Sequence, residues 1–385
     1  MIPYGKQDIN QQDINAVIAV LQSDFLTQGP QVPLFEDAIK TVTSSQYAVA
    51  VNSATSALHI ACLALGVGTG DHVWTSPITF VASANCALYC GASIDFVDID
   101  PVTYNLCPLQ LEEKLIAAKK NSCLPKVVIP VHLTGQSCDM QKIHQLSLEY
   151  GFAIIEDASH GIGGFYQNQP IGNCQYSDIS VFSFHPVKII TTAEGGIATT
   201  NNQRLAEKMQ RLRSHGITRD TQLMSEPPHG DWYYQQLELG FNYRMSDLQA
   251  ALGVSQIKRL NEFVSARKQL AENYNEQLSD LPIMLPQQMQ QADSSWHLYI
   301  IQLELNKINK SHRQIFDELK NAGVGVNLHY IPVHLQPYYQ QLGFTAGDFP
   351  QAEKYYARAL TLPLHTQLNK TEQNTVISSL TRVLS

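Results

Sequence analysis

The chain is poor in charge. Only 16% of its 385 residues are Asp, Glu, Lys or Arg, against roughly 25% in ordinary soluble domains. What charge there is runs negative: 26 Lys and Arg against 34 Asp and Glu give −8 with the 13 His neutral. No long basic run exists, and Lys208 to Arg213 alternates with apolar residues as an ordinary helix does. A nucleic-acid binder, which needs clustered Lys and Arg against phosphates, is therefore excluded. Long hydrophobic runs are also missing. None approaches the ~18 residues of a membrane span, so no membrane partner is expected. The N-terminal MIPYGKQDIN lacks the apolar core of a secretory leader, which points to a cytoplasmic location. Cysteine is sparse and unpaired in pattern. The seven stand at 62, 86, 90, 107, 123, 138 and 174, with no C-x-x-C. That spacing fits neither a zinc site nor a disulfide framework and reads as free thiols, with no metal expected. A surface so short of charge predicts that part of it is covered by another subunit.

Apolar residues make up 44% of the chain, enough for a full core without staples. Length alone allows two to three domains at roughly 150 residues each. No internal repeat or low-complexity tract is present. Asn10 and Asp13 mark a helix start, and Ile14, Val17, Ile18 and Leu21 give its apolar stripe. From residue 47 strands alternate with helices. Strands are predicted at 47–53, 72–77, 94–100, 127–133, 152–158, 179–184 and 195–200. Helices are predicted between them at 57–65, 81–90, 109–119 and 140–150. Alternation of this kind means βαβ units and a mostly parallel sheet. The last two strands are close enough for a tight turn or hairpin, so the sheet is expected to be mixed. A helix follows at 203–213, a long polar loop at 214–240 and a long helical pattern from Ser246 to about Leu278. Residues 280–385 mix short strands with helices. The expected division is a large domain at 1–245 and a smaller α+β domain at 246–385.

In open α/β sheets, ligands lie beyond the carboxyl ends of the strands. The residues there are Asn52-Ser53-Ala54-Thr55, Thr79-Phe80, His132, Asp157, and Ser183 with Lys188. NSATSA opens a helix, where the N–H groups of Ala54 and Thr55 suit an anion, or serve a plain N-cap. Asp157 ends a buried-looking strand and needs a partner, either a structural arginine or a cofactor cation such as a pyridinium nitrogen. Lys188, in FSFHPVKIITTAEGG, has apolar neighbours. Desolvation would lower its amine below the usual ~10.4 and make it nucleophilic. Ser183 offers a hydroxyl to phosphate, Gly195-Gly196 permits close packing, and Phe80 is either a stacking ring or ordinary core. These are the parts of a pyridoxal phosphate site.

The runs LTQGP (26–30), NSATSAL, TSPITFVASAN, VHLTGQSCDM, EDASHGIGG, SFHPVKIITTAEGG, RSHGI, GFNYRMSDLQAA and HYIPVHLQPYY (329–339) occur in this order. Together they resemble the sugar-nucleotide aminotransferases of the DegT/DnrJ/StrS family, and the resemblance covers most of the chain. It implies the aspartate-aminotransferase (type I) fold, α/β with a large mixed seven-stranded sheet domain and a small α+β C-terminal domain. It also implies pyridoxal 5'-phosphate, a nucleotide keto sugar, L-glutamate as amino donor, and a homodimer with shared active sites. Within the family, the resemblance is strongest to members that aminate a UDP-linked 4-keto-6-deoxy-N-acetylhexosamine. It assigns Lys188 to the Schiff-base lysine and Asp157 to the pyridinium partner. His160 falls beside the cofactor's phenolic oxygen, where many relatives have Gln. Ala54, Thr55 and Ser183 fall at the phosphate cradle, Phe80 at the stacking position, and Asn242 where relatives reach the partner's cofactor phosphate. Tyr4, His185, His215, His329 and Tyr330 are candidates for the nucleotide-sugar side. Three other readings stand beside this one. They are amination of a 4-keto-arabinose or a 3-keto sugar, a cofactor-dependent sugar dehydratase (whose relatives carry His in place of Lys188), and a non-catalytic regulator, for which no basic domain is visible.

Overall fold

The structure is a computed structural model describing residues 1–385. The apolar, β-branched runs form the strands β1 (Tyr47–Val51), β2 (His72–Thr75), β3 (Ser93–Phe96), β4 (Val127–Ile129), β5 (Ala153–Asp157), β6 (Ile179–Ser183) and β7 (Gly196–Thr200). They make one seven-stranded sheet in the order β1-β7-β6-β5-β4-β2-β3. Five neighbours from β3 to β6 run parallel. β7 runs against both β6 and β1. The sheet is therefore mixed, as expected, but β6 and β7 are not joined by a tight turn. Their connection is the loop 184–195, which carries Lys188. Burial on both faces explains why these strands read as continuous apolar runs rather than alternating ones.

The predicted strands at 94–100 and 127–133 are shorter than expected. β4 stops before Pro130, which has no N–H to donate to a ladder, and the chain turns into a 3-10 segment at Leu133–Gly135.

Helices cover the sheet. The stripe after Asn10 is helix α1 (Gln11–Leu21), closed by a reciprocal capping box between Asn10 and Asp13. Next come α2 (Gln31–Thr43), α3 (Ala54–Ala64), α4 (Ala82–Tyr89), α5 (Pro108–Lys120), α6 (Met140–Tyr150) and α7 (Gln203–Leu212). The pattern from Ser246 is not one helix. It divides into α8 (Asp247–Gln256) and α9 (Leu260–Gln277), separated by a 3-10 turn at Ile257–Arg259. The N-terminal segment grips this junction: Gln256 Nε2 donates to Asp8 O at 2.9 Å and Asp13 Oδ2 at 2.7 Å, and Arg259 pairs with Asp8 at 3.3 Å. Asp247, fully buried, accepts the Gly29 and Gln31 N–H groups at 2.9 and 3.0 Å and so holds LTQGP against α8.

Helix α8 packs with α1 and α2 beside the large sheet. Its Ala250 shares a core with Phe35, Ile39 and Phe184. Beyond α9 an antiparallel sheet of Ile283–Met284, Tyr299–Leu303 and Ala359–Leu362 packs with the helices His312–Asn321 and Lys370–Leu384 around a second core. Within 214–240 the only paired strands are Ile217–Thr218 and Gln235–Gln236. No helix is long and apolar enough to cross a membrane.

Candidate active site

The cradle begins at the N-terminus of α3. Ser53 caps it, its hydroxyl accepting the Ser56 N–H at 3.1 Å. The N–H groups of Ala54 and Thr55 donate to no group in the chain, and with the helix dipole behind them they suit an anion. Gly196 presses against this end. A Cβ there would lie 2.4 Å from Ala54 N and 2.4 Å from Ser53 C. Ser183 is the register partner of Gly196. The start of α3 at Ser53-Ala54 and Ser183, distant in sequence, thus meet around one glycine.

Asp157 ends β5, and alternation along the strand sends Glu156 to the opposite face. Glu156 is bound there by His132 at 2.6 Å, by Ser180 at 2.9 Å and by Ser177, a satisfied buried group. Asp157 has no arginine partner. Its Oδ2 accepts the Ser83 hydroxyl at 2.5 Å and its Oδ1 the Ser159 N–H at 3.1 Å. Thr79 lies 2.7 Å from Ser83, extending the chain of hydroxyls. Lys188 is in the bend after β6, where its N–H donates to His185 O at 2.9 Å. Burial pushes the Lys188 amine down to about 8, with the nearby Asp157 carboxylate opposing.

The facing wall is aromatic and uncharged. Tyr330 OH lies 3.2 Å from His160 Nε2. The His329 ring stands 5.2 Å from the Tyr4 ring, and its Nδ1 is 2.8 Å from Thr361 Oγ1. Burial, reinforced by the Lys188 charge, drives His329 down to about 3, and His160 falls well below the histidine range for the same reasons. Phe80 is not core. It is 60% exposed, its ring 6.3 Å from that of Tyr330.

The structure therefore gathers Lys188, Asp157, His160, His329, Tyr330, Tyr4 and Phe80. His185, His215 and Asn242 are exposed; His185 meets that group only through its main-chain carbonyl, which accepts the Lys188 N–H, while His215 and Asn242 neither bond to nor stack on it, and Asn242 bridges Ser214 instead. Sequence reasoning missed Ser83 and His297. Ser83 is a buried hydroxyl on the first turn of α4. His297, in SSWHLY, brings its ring 4.4 Å from that of His160.

Free N–H donors, a glycine where a side chain would block them, a desolvated amine, a nearby carboxylate and an open aromatic face all suit pyridoxal phosphate. The fold and this donor set define a pyridoxal-phosphate-dependent aminotransferase. The chain belongs to the DegT/DnrJ/EryC1/StrS aminotransferase family, whose sequence pattern matches residues 7–381. It is 35% identical to the UDP-4-amino-4,6-dideoxy-N-acetyl-beta-L-altrosamine transaminase of Campylobacter jejuni, over 100% of this chain and 98% of the relative. Helicobacter pylori PseC, an aminotransferase of pseudoaminic acid biosynthesis, superposes with a TM-score of 0.91 at 32% identity, covering 100% of this chain and 99% of that one. Spr1654 of Streptococcus pneumoniae, in its PLP form, superposes with a TM-score of 0.88 at 30% identity and covers 100% of both chains. The protein is a PLP-dependent sugar aminotransferase.

Proposed function

We propose that the chain aminates C4 of UDP-2-acetamido-2,6-dideoxy-β-L-arabino-hex-4-ulose, with L-glutamate as donor. The product is UDP-4-amino-4,6-dideoxy-N-acetyl-β-L-altrosamine, a precursor for pseudaminic acid and flagellin glycosylation in the cytoplasm. The observation that carries the chemistry is Lys188, a desolvated amine within the field of Asp157. The names of the Campylobacter and Helicobacter relatives support the substrate.

Pyridoxal phosphate bound here would supply a sink for the electron pair left at the donor's α-carbon and a carrier for the amino group. The residues divide the remaining work. Lys188 would hold the cofactor, and its uncharged Nζ, once free, would take the proton from the donor's Cα. In the second half-reaction Nζ delivers a proton to C4 of the sugar. Asp157, fixed by Ser83, keeps the pyridine nitrogen protonated. Ala54, Thr55 and Ser183 hold the phosphate, Phe80 covers the ring, and His160 lies at the phenolic oxygen. Asn242 reaches the phosphate of the second copy in a homodimer. Tyr4, His185, His215, His329 and Tyr330 line the sugar-nucleotide side. In this division residues 1–245 bind the cofactor and share the sugar-nucleotide side with His329 and Tyr330 of 246–385.

The near-visible absorbance of the purified protein, before and after L-glutamate, tests cofactor, lysine and donor together. The band of the lysine-bound cofactor should give way to that of its amino form. An unchanged spectrum would overturn glutamate as donor. A panel of nucleotide keto sugars, with products read by NMR, tests the substrate. Preferred turnover of a 4-keto-arabinose or a 3-keto sugar would replace it.

A further inference from the structure

Trp296 holds a φ of +51°, a left-handed backbone that a bulky aromatic residue adopts only when its surroundings force it. Those surroundings are specific. Trp296 N–H donates to Ser294 Oγ at 3.0 Å, and Ser295 N–H to Gly135 O at 3.2 Å. The Ser295 hydroxyl donates to His160 O at 2.8 Å, and His297 N–H to Thr134 O at 2.8 Å. Gly135, at a φ of +103°, has no room for a side chain: a Cβ would lie 2.4 Å from Ser295 Oγ. From the other side the buried Arg267 donates to the carbonyls of Trp296, His297 and Leu364 at 3.4, 3.2 and 2.9 Å. It forms no ion pair, so its cationic charge stays uncompensated behind the segment. The kink thus aims one side chain, His297, whose ring meets that of His160 at 4.4 Å and 53°.

The groups around His160 can be named from every element packed on it. Lys188 faces it from the loop after β6, and His329 and Tyr330 from the rim. His297, backed by Arg267, faces it from below. Asp157, at the end of its own strand, is occupied by Ser83 and the Ser159 N–H. No carboxylate reaches the imidazole. Nδ1 of His160 and Nδ1 of His297 are both sealed and without partners. Only Nε2 of His160 is directed at a polar group, the Tyr330 hydroxyl.

We propose that Arg267, Trp296 and His297 form a positioning unit that holds His160 uncharged, with its proton on Nε2, as a neutral hydrogen-bond donor to the cofactor's phenolic oxygen. The inference rests on the placement of His160 beside that oxygen, proposed above. It explains how a histidine fills a position where a glutamine amide also serves. The ring matches an amide only while it cannot take a second proton, and every neighbour that could stabilise that proton is neutral, cationic or already engaged.

The test uses the holoenzyme and the absorbance of its bound cofactor, titrated between about pH 5 and 8, where an ordinary histidine changes charge. His297→Glu puts a carboxylate against His160 and should create a new spectral transition in that window. His297→Gln should not, and adding His160→Gln to His297→Glu should erase it. No new transition in His297→Glu, or one that survives the double substitution, overturns the proposal. If His297→Glu does not fold, histidine-selective ¹⁵N labelling of the wild-type holoenzyme decides the matter. His160 should show the Nε2–H tautomer and remain unprotonated across the window, and a titrating His160 overturns the proposal. Failure of the wild-type protein to bind pyridoxal phosphate at this site would sink the underlying reading instead, and the absorbance separates that outcome from the others.

Discussion

Lys188 links the mechanism to a measurable property of the folded chain. Replacement by alanine should reduce turnover to background while the cradle still retains cofactor without a covalent bond, seen by assaying activity and absorbance on the same sample. The depressed amine also has a consequence for stability. Its value is about 8 in the folded protein and about 10.4 in an unfolded chain. Between those two values the unfolded state binds more protons, so the Lys188 contribution to stability rises with pH across that window. Urea unfolding of cofactor-free protein should show this upward slope, and Lys188→Met should flatten it. An identical slope in the variant would contradict the desolvated amine. Lys188 was legible in the sequence because its apolar neighbours lie beside it in the chain. Ser83 was not, because the carboxylate that gives it meaning, Asp157, is 74 residues away. His297 was hidden for a similar reason: in SSWHLY it looks like the start of a strand, and only the reversed backbone at Trp296 turns it toward His160.

Elements were legible where local chemistry decides them. Asn10 and Asp13 specify the start of α1 through a reciprocal cap, and the strands of the large sheet are fixed by their apolar runs. The division of 246–278 into two helices was not legible, because no proline or glycine stands at 257–259. The break coincides with the grip of Asp8 and Asp13 on Gln256 and Arg259, contacts that span most of the chain. Two predictions belong at this scale. Gly196→Ala drives a methyl into the α3 backbone and should cost about 1–3 kcal/mol in overpacking. It should also weaken cofactor binding, measured by thermal melting and by titration with pyridoxal phosphate. A variant with wild-type affinity would detach Gly196 from the cradle. Asp247→Ala leaves the Gly29 and Gln31 N–H groups without their acceptor and should cost about 1–3 kcal/mol for such a loss, read from the urea midpoint.

At the scale of the whole molecule, the shortage of charge is matched by apolar groups on the surface of the single chain. Ile14, Ile18 and Leu21 lie on the outer face of α1, and Trp232 and Leu239 project from the 214–240 segment, Leu239 at 79% exposure. Asn242, three residues after Leu239, is exposed as well. These are the features expected of a chain that pairs with a second copy. Sedimentation should give a dimer. If each site takes Lys188 from one chain and Asn242 from the other, mixing Lys188→Ala with Asn242→Ala chains under subunit exchange should yield more activity than either variant alone. Mixed dimers would then hold one intact site each, and no gain on mixing would argue against shared sites. The sequence made such pairing foreseeable only through its composition and its family resemblance, since the surfaces concerned are assembled from α1 and a segment more than 200 residues later.

The cradle proposed around Gly196 has one further implication. Two of the three donors proposed for it belong to the main chain, and the close approach depends on a side chain that does not exist. Under that proposal random substitution at residues 54 and 55 leaves the anchor largely intact, whereas the roles proposed for His329, Tyr330 and Tyr4 rest on side chains that substitution rewrites at once. Such an enzyme can drift toward a new sugar without losing its hold on the cofactor, and a laboratory selection for altered substrate range would find its useful variation on the rim.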